Sequence, residues 1–338
     1  MFPDHCHRRI DVASAADLAA AKALASALGD GVLAGADAGR LDAVVGILGA
    51  HALAQPEGGS LLLRRWGRAG VECLAYDRTA LPDGASEPRE FAAARAGADR
   101  FEMHATPGVG IAVLARVLQP GCSDEPPVGM TARVGAVMVV KPGAAHCGDG
   151  WFVRCDGLAE EPVSGGLALV VDGVAGDAAS AAAARRIEAI VAATAPGLSP
   201  QMVIGAIRRD FANAVGTTAA ILRFDGASVD YTALGTVAGA VVRQRTMTSL
   251  AARWAMVGYN PQVPASVHLL WMPGDHVVLH SDGCERLPIL FIERDLHRVD
   301  PTLAAVVLLR DGLARDDDQT VVVLRNIATP AREAAGRG

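Results

Sequence analysis

Residues 167–184 read LALVVDGVAGDAASAAAA. Five apolar residues, an Asp-Gly pair and a long run of small residues predict a buried strand over 167–171, a turn, and an Ala-rich helix over 178–193. Upstream, Asp149 stands just before a predicted strand over 151–155. If the two strands pair as an antiparallel hairpin, Asp149 and Asp172 fall on one edge of a sheet. The same arrangement recurs further on. Asp282-Gly283 follows the strand VVLH (277–280), and Asp316, Asp317 and Asp318 precede the strand TVVVL (320–324). Any one Asp-Gly pair reads as an ordinary turn. Four aspartate positions that each abut an apolar strand on one inferred edge read as a metal site. Crowded carboxylates raise one another's pKa, and a divalent cation removes that cost. An oxygen set without His or Cys favours magnesium or manganese. Two such ions would polarise a water into a nucleophile for a phosphate ester. Glycine after an aspartate, as at Asp149, Asp172 and Asp282, lets the backbone carbonyl approach an ion. Spacing leaves open which of Asp316–Asp318 is the fourth ligand.

Around this core the second half predicts further strands over 217–224 and 229–234. Helices are predicted to begin at Ser199-Pro200 and Asp300-Pro301, each an N-cap followed by proline at the first helical position. Strands bracketing paired helices predict a layered α+β domain with antiparallel sheets. In the first half, helices are expected from Ser14 to Leu28, with Ser14 as N-cap, and from Ala36 to Leu53. A strand pair is expected over 60–66 and 71–76, then a loop or lid over 81–99. Gly108 to Leu118 reads as a glycine-led helix start, and 134–140 as a strand. Lys141-Pro142-Gly143 is the expected boundary between an N-terminal domain (10–140) and a C-terminal domain (141–326). Residues 327–338 read as a loose tail.

The 338 residues are 51% hydrophobic, enough for two packed cores. A net charge of -6 without a basic stripe argues against nucleic acid as a partner. None of the six cysteines forms a C-x-x-C pair, so they read as plain thiols of a reducing compartment. His5, Cys6 and His7 are expected on a frayed terminus. The opening MFPDHCHRRIDV lacks the apolar stretch of a signal peptide, and no apolar run reaches membrane-spanning length. The expected location is cytoplasmic, with no membrane partner.

Taken in order, KPGAAHCGDGW (141–151), LALVVDGVAGDAASAAAA, VGTTAAILRFDG (215–226), YTALGTVAG (231–239), GDHVVLHSDG (274–283) and RDDDQTVVVLR (315–325) resemble the SpoIIE branch of the metal-dependent PPM-type serine/threonine protein phosphatases. The resemblance implies an αββα sandwich of two antiparallel sheets with a dinuclear Mn2+ or Mg2+ site at one edge. It implies Asp149, Asp172, the carbonyl of Gly173, Asp282 and Asp317 as metal-binding positions, Asp317 because it begins the D-D-x-T match. It further implies a phosphorylated STAS-domain protein as substrate in a partner-switching pathway, with an anti-sigma or sensor protein as a further partner. Two positions depart from the family. Ala175, Gly176 and Asp177 replace a Gly-His-Gly loop, and Gly235-Thr236 replaces a Gly-Asn pair.

The first half is similar in motif order to the anti-sigma-factor kinases of the GHKL ATPase fold, the RsbT type. That likeness implies a GHKL-like α/β sandwich. The family's Glu and Asn positions are here Ile47 and His51, and its D-x-G-x-G loop is Asp77 to Leu81 without either glycine. Asp77, Gly108 and Gly110 are the only remnants of an ATP site, so ATP is not expected as a cofactor and kinase activity is not expected. Two functional readings follow. One is an active phosphatase with a degenerate kinase-like regulatory domain. The other is a pseudoenzyme that binds and sequesters a partner. His146 and His280 near the inferred edge are candidate general acids, and Arg154 reads as a solvated surface residue.

Overall fold

The computed structural model describes residues 5–80, 87–126, 130–156, 165–173, 177–211, 217–250, 266–313 and 316–328. The N-terminal half contains β1 (Arg8–Val12), α1 (Ala15–Gly29), α2 (Ala36–Ala54), β2 (Gly59–Trp66), β3 (Gly70–Asp77), α3 (Phe91–Gly97), β4 (Arg100–Thr106) and β5 (Gly110–Leu118). Ser14 caps α1 by accepting the Asp17 N–H, as its place ahead of the apolar run predicts. Five antiparallel strands form one sheet in the order β1-β2-β3-β5-β4. Its outer face buries Leu61, Leu63 and Val113 against Val44, Val45 and Leu48 of α2 and Ala21 and Ala25 of α1.

Two expectations for this half change. Gly108–Leu118 is not a helix: Gly108 sits at positive φ (+69°) in the β4–β5 hairpin turn, and β5 follows it. Glycine and apolar residues without a clear period serve a buried strand as well as a helix. The loop expected over 81–99 contains α3, while 81–86 lie outside the described residues.

The C-terminal half runs β6 (Ala132–Val139), β7 (Gly150–Cys155), β8 (Gly166–Gly173), α4 (Ala178–Ala193), α5 (Pro200–Asp210), β9 (Thr217–Phe224), β10 (Ser228–Leu234), β11 (Ala238–Arg243), β12 (Thr246–Leu250), β13 (Val267–Leu270), β14 (His276–His280), α6 (Leu287–Glu293), α7 (Pro301–Asp311) and β15 (Gln319–Asn326). Its strands form two antiparallel five-stranded sheets, β13-β10-β9-β8-β7 and β12-β11-β14-β15-β6. They stack through Val170, Leu222, Tyr231, Val277, Leu279 and Val322. Helices α4 and α5 cover the first sheet with Ile187, Val191, Val203 and Ile207. The fold is mixed α/β with antiparallel sheets, and the αββα layering is present.

β6 is hydrogen-bonded along its length to β15, from Gln319↔Val139 to Asn326↔Ala132. A boundary at Lys141–Gly143 therefore falls between two strands of the sandwich, because the pairing that claims β6 comes from nearly two hundred residues away. The second sheet's outer face is covered by α6 and α7, and α7 is buried from Pro301 to Arg310. One core unites Leu303, Val306 and Leu308 with Val137, Val321 and Val323 on one side and with Leu62, Leu74 and Leu114 of the N-terminal sheet on the other. The layers therefore run α1/α2, N-terminal sheet, α6/α7, second sheet, first sheet, α4/α5. Among the described residues no helix is long and apolar enough to cross a membrane.

Candidate metal centre

The two predicted hairpins form, and each brings its aspartates to one edge. β7 pairs β8 with Gly150 opposite Val171, so Asp149 and Asp172 flank the same end. β14 pairs β15 with His280 opposite Val321, so Asp282 and the 316–318 run flank the corresponding end of the second sheet. Asp149 and Asp172 are buried, and Asp282 and Asp317 are half-buried. Burial raises the pKa of Asp149, and Asp172 beside it raises it further. Asp172 is pushed up to about 6, first by burial and then by Asp282, with Asp317 adding to it. Asp172 is thus the junction, with Asp149 on one side and Asp282 and Asp317 on the other.

Hydroxyls hold the buried pair. Thr320 Oγ1 donates to Asp149 Oδ2 at 2.7 Å, and Thr236 Oγ1 donates to Asp172 Oδ2 at 2.8 Å. The Asp282 N–H also reaches Asp172 Oδ2, at 3.3 Å. Sequence reasoning missed both threonines as site residues. Thr320 was visible as the threonine of D-D-x-T, whereas Thr236 stood out only as the departure from Gly-Asn. Ser281 has a related part: its Oγ accepts the Thr320 N–H at 3.0 Å.

The acidic run divides its labour. Asp318 is buried and turned inward, accepting the Gly148 N–H at 2.6 Å and the Lys141 N–H at 2.9 Å. It pins the loop that carries Asp149. Asp317 accepts the Asp318 N–H at 2.9 Å and lies on the side of Asp172. Asp316 is exposed.

The glycines after the aspartates answer to packing. A Cβ on Gly173 would stand 2.6 Å from the Gly148 carbonyl oxygen, and one on Gly283 would stand 2.1 Å from that of Asp318. Neither position has room for a side chain, whatever binds at the edge. Asp177 caps α4 by accepting the Ser180 N–H at 2.8 Å, and Ala175 and Gly176 lie outside the described residues. His280 is buried, its Nδ1–H donating to the Ser281 carbonyl at 3.0 Å, and burial lowers its pKa. His146 is half-buried. Arg154 is not a solvated surface residue: it donates to the carbonyls of Val191, Thr194 and Ala195, where α4 ends. Residues 5–7 are packed, not frayed: His5 touches Arg185 and Glu188 of α4, and Cys6 and His7 are buried.

Asp77 and Gly110 also come together, whereas a Cβ on Gly108 would meet nothing within 4 Å. Asp77 Oδ1 accepts the Thr79 N–H at 2.9 Å, and a Cβ on Gly110 would stand 2.3 Å from the Asp77 carbonyl oxygen. The space beside them, lined by His51, Phe91 and Tyr76, is about 10 Å³, room for roughly one water.

Buried, like-charged, all-oxygen donors whose strongest neighbours are other carboxylates and hydroxyls fit hard divalent cations. Among the described residues, no three His, Cys, Asp or Glu side chains stand close enough to hold one ion without moving.

Among solved structures, one described as "The bacterial stressosome: a modular system that has been adapted to control secondary messenger signaling" is similar with a TM-score of 0.50. It is 22% identical over 57% of this chain and 99% of that one. The PP2C phosphatase domain of SpoIIE from Bacillus subtilis, with a fragment of its regulatory domain, gives a TM-score of 0.49 at 16% identity over 77% and 80% of the two chains. The catalytic domain of the serine/threonine phosphatase PstP, in complex with two manganese ions, gives 0.47 at 18% identity over 58% and 99%. At 22% identity the first of these is a likeness of fold alone. No family model and no curated protein matches the chain.

Proposed function

We propose that this chain is a Mn2+- or Mg2+-dependent protein serine/threonine phosphatase. Asp149, Asp172, the Gly173 carbonyl, Asp282 and Asp317 would hold two ions. The observation that supports this reading is that the β7–β8 and β14–β15 hairpins meet at their ends, where the Asp282 N–H reaches Asp172 Oδ2 and burial with nearby carboxylates raises the pKa of both Asp149 and Asp172. When bound, such ions supply a hydroxide and neutralise the phosphate oxygens. The chain's own part is positioning. Thr320 and Thr236 orient Asp149 and Asp172, and Asp318 fixes the loop beneath Asp149. By the resemblance, the substrate class is phosphoserine or phosphothreonine on a STAS-type antagonist. The N-terminal unit is then regulatory and works without ATP.

Purified chain with manganese is expected to hydrolyse p-nitrophenyl phosphate, and Asp172→Asn to lower the rate at least a hundredfold. A wild type that stays inert with manganese, with magnesium and with a phosphorylated STAS partner sinks the proposal.

The second reading, a partner-binding pseudoenzyme, draws on the lack of three donors already poised around one point among the described residues. Manganese titration separates the two. Two ions bound per chain support the phosphatase, and none supports the pseudoenzyme.

A further inference from the structure

The backbone around Asp149 is gripped from the second sheet and from a helix. The preceding residue, Gly148, donates its N–H to Asp318, and the Asp149 carboxylate accepts from Thr320, both where β15 begins. The third grip comes from α4: Arg185 Nη2 donates to the Asp149 carbonyl oxygen. Gly150 makes room for it. A Cβ there would stand 3.0 Å from Arg185 Nη2 and closer still to Glu188 Oε1. Arg185 reaches this carbonyl at a cost, because its own buried Nε–H finds no acceptor among the described residues.

Arg185 is itself held from far away in the sequence. His5 Nε2 lies 2.9 Å from Arg185 Nη1 and 3.1 Å from Glu188 Oε1, and Glu188 pairs with Arg185 at 3.3 Å. With its lone pair at Nε2, the ring accepts from the guanidinium. It also stands edge-on to Trp151 of β7, 5.6 Å between ring centres. The next two residues fix His5 in place. The His7 N–H donates to the Met138 carbonyl at 2.7 Å, and Cys6 packs with Met138 and Cys147. A chain of contacts therefore runs from residues 5–7 through Arg185 to the backbone of Asp149.

We propose that Arg185 is a positioning residue for the metal centre and that His5 sets its aim. The proposal rests on the phosphatase reading only in taking Asp149 as a metal ligand. A carboxylate whose direction is fixed beforehand spends none of its binding energy on being ordered. With the Asp149 carbonyl released, the peptide after it is free to rotate and to carry the carboxylate away from Thr320. Partners that orient a ligand from behind are typically worth about tenfold to a hundredfold in metal affinity. Arg186, the next residue of α4, is exposed and pairs with Asp210 instead, so it serves as the control on the same helix.

Calorimetric titration of the full chain with manganese, together with amide hydrogen exchange of the metal-free chain, tests it. Arg185→Gln is expected to weaken manganese about tenfold and His5→Ala about threefold, while Arg185→Lys recovers part of the loss and Arg186→Gln has no effect. In the metal-free chain Arg185→Gln should speed exchange at the amides of 148–151 roughly tenfold, with little change in melting temperature. A merely structural arginine would instead lower the melting temperature and leave the manganese affinity of the folded chain where it was. Unchanged manganese affinity in Arg185→Gln, or an equal loss in Arg186→Gln, overturns the proposal. A wild type that binds no manganese sinks the phosphatase reading, and exchange then decides this one. Unaltered exchange at 148–151 overturns the positioning role, and faster exchange sustains it.

Discussion

Adjacent aspartates at 317 and 318 carry opposite assignments. Asp318 turns inward to hold two backbone N–H groups, so Asp318→Ala leaves the buried Gly148 donor and the half-buried Lys141 donor without this partner. We expect a loss of about 3 kcal/mol of stability by denaturant unfolding. Asp317→Ala removes only a local contact to the next residue. Its cost should be about 1 kcal/mol or less, with loss of metal-dependent activity instead. A second residue-scale test concerns pH. His7 is fully buried, accepting the Met138 N–H at Nδ1 and donating from Nε2 to Glu72, which suits a neutral ring. Burial first, then the nearby Arg64, lowers its pKa from 6.5 to about 4. In the unfolded chain the ring protonates below about 6.5. Stability is therefore complete above that pH and falls as pH drops from about 6.5 to about 4, by at most roughly 3 kcal/mol. Glu72 adds its own loss from about pH 4.5 downward, at the foot of this window. Burial alone would raise its pKa, but Arg64 and Arg116 hold it well below the usual carboxylate range. Asp149 and Asp172, whose pKa values are raised, regain stability over the same range, so the His7 contribution is read as the difference between wild-type and His7→Gln urea midpoints, which should shrink from pH 7 to pH 5.

At the scale of elements, the decisive contact is the first turn of α7 against β6. A Cβ on Gly135 would lie 2.0 Å from the Thr302 backbone nitrogen and 2.1 Å from the Pro301 carbonyl carbon. Both atoms are backbone inside a buried helix, so neither can swing aside. Gly135→Ala should cost roughly 3 kcal/mol, seen as a lower urea midpoint with an unchanged slope. The elements the sequence predicted best are those with local punctuation. Ser199-Pro200 and Asp300-Pro301 start α5 and α7 through Ser199 accepting the Met202 N–H and Asp300 accepting the Thr302 N–H. β5 was read as a helix start because a short apolar run after glycine carries no period that separates strand from helix, and the mixed polar and apolar RFEMHAT of β4 gave no strand reading. β11, β12 and β13 were missed because their local residues are less distinctive than the partners they pair with.

On the scale of the molecule, α7 is the shared core of two units. Its apolar surface faces the second sheet on one side and Leu62, Leu74 and Leu114 on the other. A chain beginning near Thr131 would expose that second side to water. It should aggregate, or bind a hydrophobic dye and run larger than its mass in gel filtration. A monodisperse, cooperatively unfolding fragment would show that the N-terminal sheet is dispensable. The same geometry makes the N-terminal unit part of the sandwich's support, close to Asp149 through His5 and Arg185, which donates to the Asp149 carbonyl.

Strand-end carboxylates, helix caps and apolar runs are local signals, so the sequence alone placed Asp149, Asp172, Asp282 and the acidic run at the ends of strands that do form. It also placed α4, α5 and α7. Three things depended on contacts between residues far apart in the chain. β6 joins the second sheet, because its partner is the last strand. The glycines after Asp172 and Asp282 are set by the backbones of Gly148 and Asp318 packed against them. Asp317 and Asp318 take different jobs, because only the folded loop at 141–148 brings N–H groups to one of them. Side-chain period and capping are read from neighbours along the chain, whereas sheet membership and carboxylate orientation come from long-range pairing that no short window contains.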